Sequence, residues 1–173
     1  MKSFGKILIA GLMMGGLSAP AFAQATDSKS TTASITIIRP IVLTKVTDLA
    51  FGTVTRPTSG TNTITMSTSS DTPTTTTANS LVTGSSRSRA SYTVSGETGQ
   101  TVAISLSAST IQLTRSGGAE TLDLTLDLAH SSDTLAGNAF SFGTLYVGGA
   151  IDIPSSTVSG AYSGSFTTTV AYN

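Results

Sequence analysis

From Thr121 to Leu128 the chain alternates strictly, Leu122, Leu124, Leu126 and Leu128 being separated by Thr121, Asp123, Thr125 and Asp127. A period of two sends the leucines to one face of a β-strand and the polar residues to the other. The same period recurs at Ile64/Met66, at Tyr92/Val94, at Val102/Ile104/Leu106 and at Phe166/Thr168/Val170/Tyr172. Turn signals separate these runs, at Ser59-Gly60, Gly84, Gly96 to Gly99, Gly117-Gly118, Gly137-Asn138, Gly148-Gly149 and Gly160. Short alternating strands with such punctuation predict an all-β fold, an immunoglobulin-like antiparallel sandwich of about seven or eight strands. Leu145 and Val147 precede the glycine pair Gly148-Gly149 and Ile151 and Ile153 follow it, so the pair predicts a bulge or tight turn. Phe51, Tyr92, Val94, Val102, Ile104, Leu122, Leu124, Leu126, Val147 and Ile151 are the expected core.

The ends of the chain read differently. Lys2 and Lys6 precede an apolar run from Ile7 to Leu17, and Ala21-Phe22-Ala23 has the small-x-small pattern of a cleavage site. This is the pattern of a secretory signal peptide over residues 1–23, too short for a transmembrane helix. Residues 24–33 are polar and read as a flexible tail, and 34–173 as one sandwich domain. A mature chain of about 150 residues suits one domain and needs no disulfide staples, in keeping with the absence of cysteine. The expected location is the periplasm and then the cell surface, with no membrane anchor.

Charge is sparse, at 10% of residues. Without Lys2 and Lys6, the remaining seven basic residues face nine acidic ones, so no basic patch exists to neutralise phosphates and nucleic acid is not an expected partner. Ser and Thr take the place of charge, most densely from Thr55 to Ser80, where a strand around Ile64 is expected within loop or exposed edge.

The residue inventory argues against familiar catalysis. The single histidine, His130, ends the Leu122–Leu128 run beside Ser131-Ser132-Asp133, and reads as a loop residue rather than the base of a serine nucleophile. One His and no Cys cannot supply the three or four nitrogen or sulfur ligands of a typical zinc site. Asp123 and Asp127, about 13 Å apart along a strand, do not share an ion. Asp133 and Asn138 flank a loop without calcium-loop spacing. No catalytic residue, metal or cofactor is assigned, and the chain is expected not to be an enzyme. The absence of Trp argues against a stacked-ring sugar platform.

Two terminal segments carry the functional signal. Ala33, Ile35 and Ile37 alternate with Ser34, Thr36 and Ile38 before Pro40, which removes a ladder donor. This segment is either the first strand of its own sheet or a strand that completes a neighbour's sandwich. The last run, Gly164 to Asn173, has Tyr172 next to last and Gly160 fourteenth from the end. That pattern resembles the C-terminal strand of chaperone–usher pilus subunits, with which a periplasmic chaperone pairs.

The motifs Leu49-Ala50-Phe51-Gly52-Thr53-Val54, Val147-Gly148-Gly149 and Gly160-Ala161-Tyr162-Ser163-Gly164-Ser165-Phe166-Thr167-Thr168-Thr169-Val170-Ala171-Tyr172-Asn173 resemble the bacterial domain-of-unknown-function family 4402 (DUF4402), from about Ser34 to Asn173. The resemblance implies a small secreted domain, similar to pilin-like and spore-coat-U-like sandwiches. It carries over no catalytic residues. The absence of cysteine departs from pilus subunits that contain a disulfide.

The resulting expectation is a fimbrial subunit-like surface protein that assembles by strand exchange. Its candidates are Ile35, Ile37, Gly160, Phe166, Val170 and Tyr172. Its partners would be other copies or related subunits, with a periplasmic chaperone and an outer-membrane usher. The alternative is a self-contained secreted module whose Ser/Thr-rich loops contact a sugar or wall polymer. A hydrolase would need His130 or a carboxylate pair in a cleft.

Overall fold

The computed structural model describes residues 26–173, so the leader expected over residues 1–23 lies outside the described residues. By contact the chain divides after Thr36. In the first unit the described residues, 26–36, are exposed and belong to no strand.

The second unit, Ile37–Asn173, holds eleven strands: β1 (Val42–Thr47), β2 (Thr61–Met66), β3 (Thr74–Thr75), β4 (Ala90–Ser95), β5 (Thr101–Leu106), β6 (Thr110–Arg115), β7 (Thr121–Leu128), β8 (Ser132–Thr134), β9 (Leu145–Pro154), β10 (Tyr162–Ser163) and β11 (Thr168–Tyr172). The count exceeds the expected seven or eight because β3, β8 and β10 are only two or three residues long. The all-β expectation holds: all pairings are antiparallel, in two sheets that enclose one core. The larger, of eight strands, runs β1-β4-β9-β7-β6-β10, with β2 also on β9 and β3 on β2. The smaller runs β11-β5-β8.

β9 organises the larger sheet. Along one edge, Leu145–Val147 oppose Tyr92–Ala90 of β4, and Gly149–Pro154 oppose Met66–Thr61 of β2. Along the other, Val147–Ile151 oppose Leu128–Leu124 of β7 without a register shift. The bulge or turn expected at Gly148-Gly149 is therefore absent. Leu145, Val147, Gly149, Ile151 and Ile153 share one parity, so the hydrophobic phase passes through the pair unbroken. The glycines serve a different need. They sit where β4 hands over to β2, and the neighbouring backbone closes in. A Cβ on Gly148 would lie 2.1 Å from the Met66 carbonyl oxygen, and one on Gly149 2.5 Å from that of Thr125.

The core lies between β5 and the middle of the larger sheet. Val102 and Ile104 of β5, with Leu135 and Phe140, pack against Tyr92, Val94, Leu124, Leu126, Leu145 and Val147. Each such side chain contributes about 1.5–3 kcal/mol relative to exposure. Phe51 and Leu122, expected among them, are only half-buried. The terminal run that reads as a strand from Gly164 forms ladder only from Thr168, and Ala33–Ile38 is not the first strand of this sandwich, which opens at Val42.

Because backbone oxygens leave no room at Gly148, Gly148→Ala should lower unfolding stability by about 1–3 kcal/mol. A shift of the urea midpoint checks this, and an unchanged midpoint would mean that β9 and β2 separate without cost.

Candidate functional site: an uncovered groove and an open strand edge

Three strands cannot cover the inner face of a sheet of eight. The uncovered part is a groove of about 950 Å³. Its floor is apolar and comes from the larger sheet: half-buried Ile111 and Leu113 of β6, Leu122 of β7 and Ile153 of β9, with the buried Ile64, Leu124 and Ile151 at its closed end. One wall is Asp48–Val54, tied back by the bridges Ala50 to Ser88 and Val54 to Leu81. The other is Thr157–Phe166, whose β10 pairs with Thr114–Arg115 of β6. Leu49 and Phe51 of the first wall and Phe166 of the second line the groove while packing against the core.

The open side of the core is β11's side. Val102 and Ile104 in the middle strand of the smaller sheet are buried, as is Leu135 beyond β8. The inward-facing residues of β11 and its lead-in, Phe166, Thr168, Val170 and Tyr172, are only half-buried. The Thr168 hydroxyl oxygen is buried without a hydrogen-bond partner. The main chain of β11 is unpaired on the same side. The amide of Ser107 donates to the Thr167 carbonyl, and that of Asn173 to Thr101. By the alternation of antiparallel ladders, odd-numbered residues therefore bond to β5, and the amides of Thr168, Val170 and Tyr172 face the open edge.

The strand edges are not equally protected. β1 carries Lys45 and a register shift between Lys45 and Thr47. β8 is short and carries Asp133, and β10 has two residues. Charge, irregularity and brevity all discourage edge pairing. β11 has none of these features: it is five residues long, uncharged and without proline.

Charge at the groove is neutralised locally. Lys45 and Asp48 form an ion pair at the mouth, and the hydrogen bond and charge of Asp48 raise the lysine above its ordinary value. Arg115 pairs with Glu120 at 2.7 Å, which holds that carboxyl below its ordinary value. Gly160 rests on the stem of this arginine, where a Cβ would lie 2.9 Å from Cδ. The Arg56 guanidinium donates to the Thr157 carbonyl at 2.9 Å. What remains for a ligand is an apolar trough and a row of free main-chain donors and acceptors.

The sequence candidates fall into two sets. Gly160 and Phe166 line the groove, and Val170 and Tyr172 continue along β11 from it. Ile35 and Ile37 are each 84% exposed, on a stretch without strand pairing. The first wall and the β6 floor were not anticipated as site residues. The alternation of Ile111 and Leu113 within Thr110–Arg115 is the signal that locates the latter. His130 is exposed and its ring stacks on Phe142 with centroids 4.0 Å apart. Asp133 accepts from the Ser141 amide at 2.6 Å, while the Asn138 side chain accepts from Thr98, so the two serve separate turns.

An uncovered floor predicts unequal costs of truncation. Leu124→Ala, at a residue 3% exposed, should cost about 2–5 kcal/mol. Leu113→Ala, in the half-buried floor, should cost less than about 1.5 kcal/mol. Parallel urea unfolding checks the difference, and equal losses would mean that the floor is covered in solution.

Comparison with known proteins places the chain. The family described as Domain of unknown function (DUF4402) matches residues 41–172. No curated protein matches it. The chain is a member of that family.

Proposed function

We propose that this member of the DUF4402 family is a structural subunit that assembles by strand exchange, the segment Ala33–Ile38 of one copy filling the groove beside β11 of another. The observation that carries the reading is the presence in one chain of an apolar groove with a free strand edge and an unpaired apolar extension. An extended peptide added to a sheet edge gains main-chain hydrogen bonds, and its alternate side chains fill pockets. Ala33, Ile35 and Ile37 alternate as an added strand requires. The uncharged β11 and its half-exposed inner residues are what such a strand would cover.

In this reading the protein is exported by the leader read at residues 1–23 and works at the cell surface. A free β11 edge would aggregate in the periplasm. A periplasmic chaperone that covers the edge, and an outer-membrane usher that exchanges it for the next subunit, complete the proposal. Burial and pairing are the chemistry, and no catalytic step is assigned.

The double variant Ile35→Asp/Ile37→Asp tests this. Both side chains are exposed in the free subunit, so its unfolding midpoint should stay unchanged. Losing two buried isoleucines, at about 1.5–3 kcal/mol each, should weaken association more than about 100-fold. Light scattering on the leaderless protein reads this: polymers for the parent, monomers for the variant. A parent that stays a stable, cooperative monomer at high concentration would exclude strand exchange and leave a secreted binding module in its place.

A further inference from the structure

We infer that the Tyr172 hydroxyl is a joint that anchors Arg39, the residue from which the extension departs, and that the turn around it is the surface on which a second copy of this chain abuts, making the assembly stiff. The inference rests on the strand-exchange reading and names the interface that follows from it.

The joint is built from three residues. The Glu97 amide donates to the Tyr172 hydroxyl oxygen at 2.7 Å, and that hydroxyl donates to the Arg39 carbonyl at 3.0 Å. The Arg39 amide donates to Glu97 Oε2 at 3.1 Å, and its guanidinium Nε lies 3.9 Å from the same oxygen. Both backbone polar groups of Arg39 are thus held, one by the β4–β5 turn and one by β11. Pro40 follows and fixes its own φ. Glycine at 96 makes the room, since a Cβ there would lie 2.7 Å from both the Tyr172 hydroxyl and Leu135 Cδ1.

This geometry leaves no linker. Flexible tethers need a run of unconstrained residues, but the donor segment Ala33–Ile38 leads directly into the held residue. A neighbour gripping that segment lies within about two residues, or about 7 Å, of the Glu97-Thr98 turn. The turn is braced to receive it. Thr98 Oγ1 donates to Asn138 Oδ1 at 2.8 Å, the Asn138 amide donates to Thr98 Oγ1 at 3.1 Å, and the Gly96 amide donates to the Asn138 carbonyl at 3.1 Å. Tyr172 is a positioning residue here. Its ring belongs to the core, and its hydroxyl sets the angle between copies.

The test uses the leaderless full chain, the variant Tyr172→Phe, and a second variant with two glycines inserted between Ile38 and Arg39. Filament persistence length is read from electron micrographs, and domain stability from urea unfolding of unassembled protein. Both variants should form filaments whose persistence length is severalfold shorter, with the insertion leaving the unfolding midpoint unchanged. A peptide copying Thr32–Arg39 is titrated separately into unassembled protein to test the groove alone. Peptide binding with variant filaments as stiff as the parent's would overturn the joint and leave strand exchange standing. No peptide binding and no filaments would remove strand exchange and the joint with it. Should Tyr172→Phe fail to fold, the insertion decides alone, because it leaves Arg39, Glu97 and Tyr172 with their hydrogen-bond partners.

Discussion

The structure depends on a mismatch between its two layers. A sheet of eight strands offers more apolar inner face than a sheet of three can cover. Where β5 and its neighbours lie over the larger sheet, the core is closed and Val102, Ile104, Leu124 and Val147 are buried. Where they do not, Ile111, Leu113, Leu122 and Ile153 floor an open trough. Apolar area in contact with water is unfavourable in proportion to its extent, and contiguous apolar patches are the surfaces on which proteins commonly bind their partners or ligands. The groove and the half-exposed flank of β11 both follow from this one shortage of cover.

The same shortage explains why one strand edge differs from the rest. β1, β8 and β10 are made poor templates by charge, a register shift or brevity. β11 is left uncharged, regular and long enough to pair. An edge without protection is a liability in a protein that works alone. In a protein completed by a neighbour it is the working surface, and the apolar extension that would complete it sits in the same chain.

Much of the fold was legible because period-two alternation is a direct consequence of strand geometry. Leu122 to Leu128 and Val102 to Leu106 announced β7 and β5 almost to the residue. The glycine pair in β9 misled because glycine serves two needs, a turn or a close approach. Only the tertiary contact with the Met66 carbonyl tells them apart. The site was half legible. The extension and the terminal strand stand out as alternating segments, and Tyr172 as an aromatic near the end of one. The groove does not, because half-burial of Leu113 or Leu122 comes from how little of the smaller sheet lies over them, and a shortage of cover leaves no mark in the residues below it. The role of the Tyr172 hydroxyl was likewise hidden, since its partners Glu97 and Arg39 are distant in sequence and bond largely through their main chains.

The most direct test of the central claim is hydrogen exchange at the amides of Thr168, Val170 and Tyr172. In the unassembled protein they should exchange far faster than those of Thr169 and Ala171, which face β5. In the assembled protein they should become as protected as their neighbours, while the amides of β1 stay unchanged. Equal protection of both sets before assembly, or no gain on assembly, would contradict the account: β11 would then be no open edge awaiting a strand.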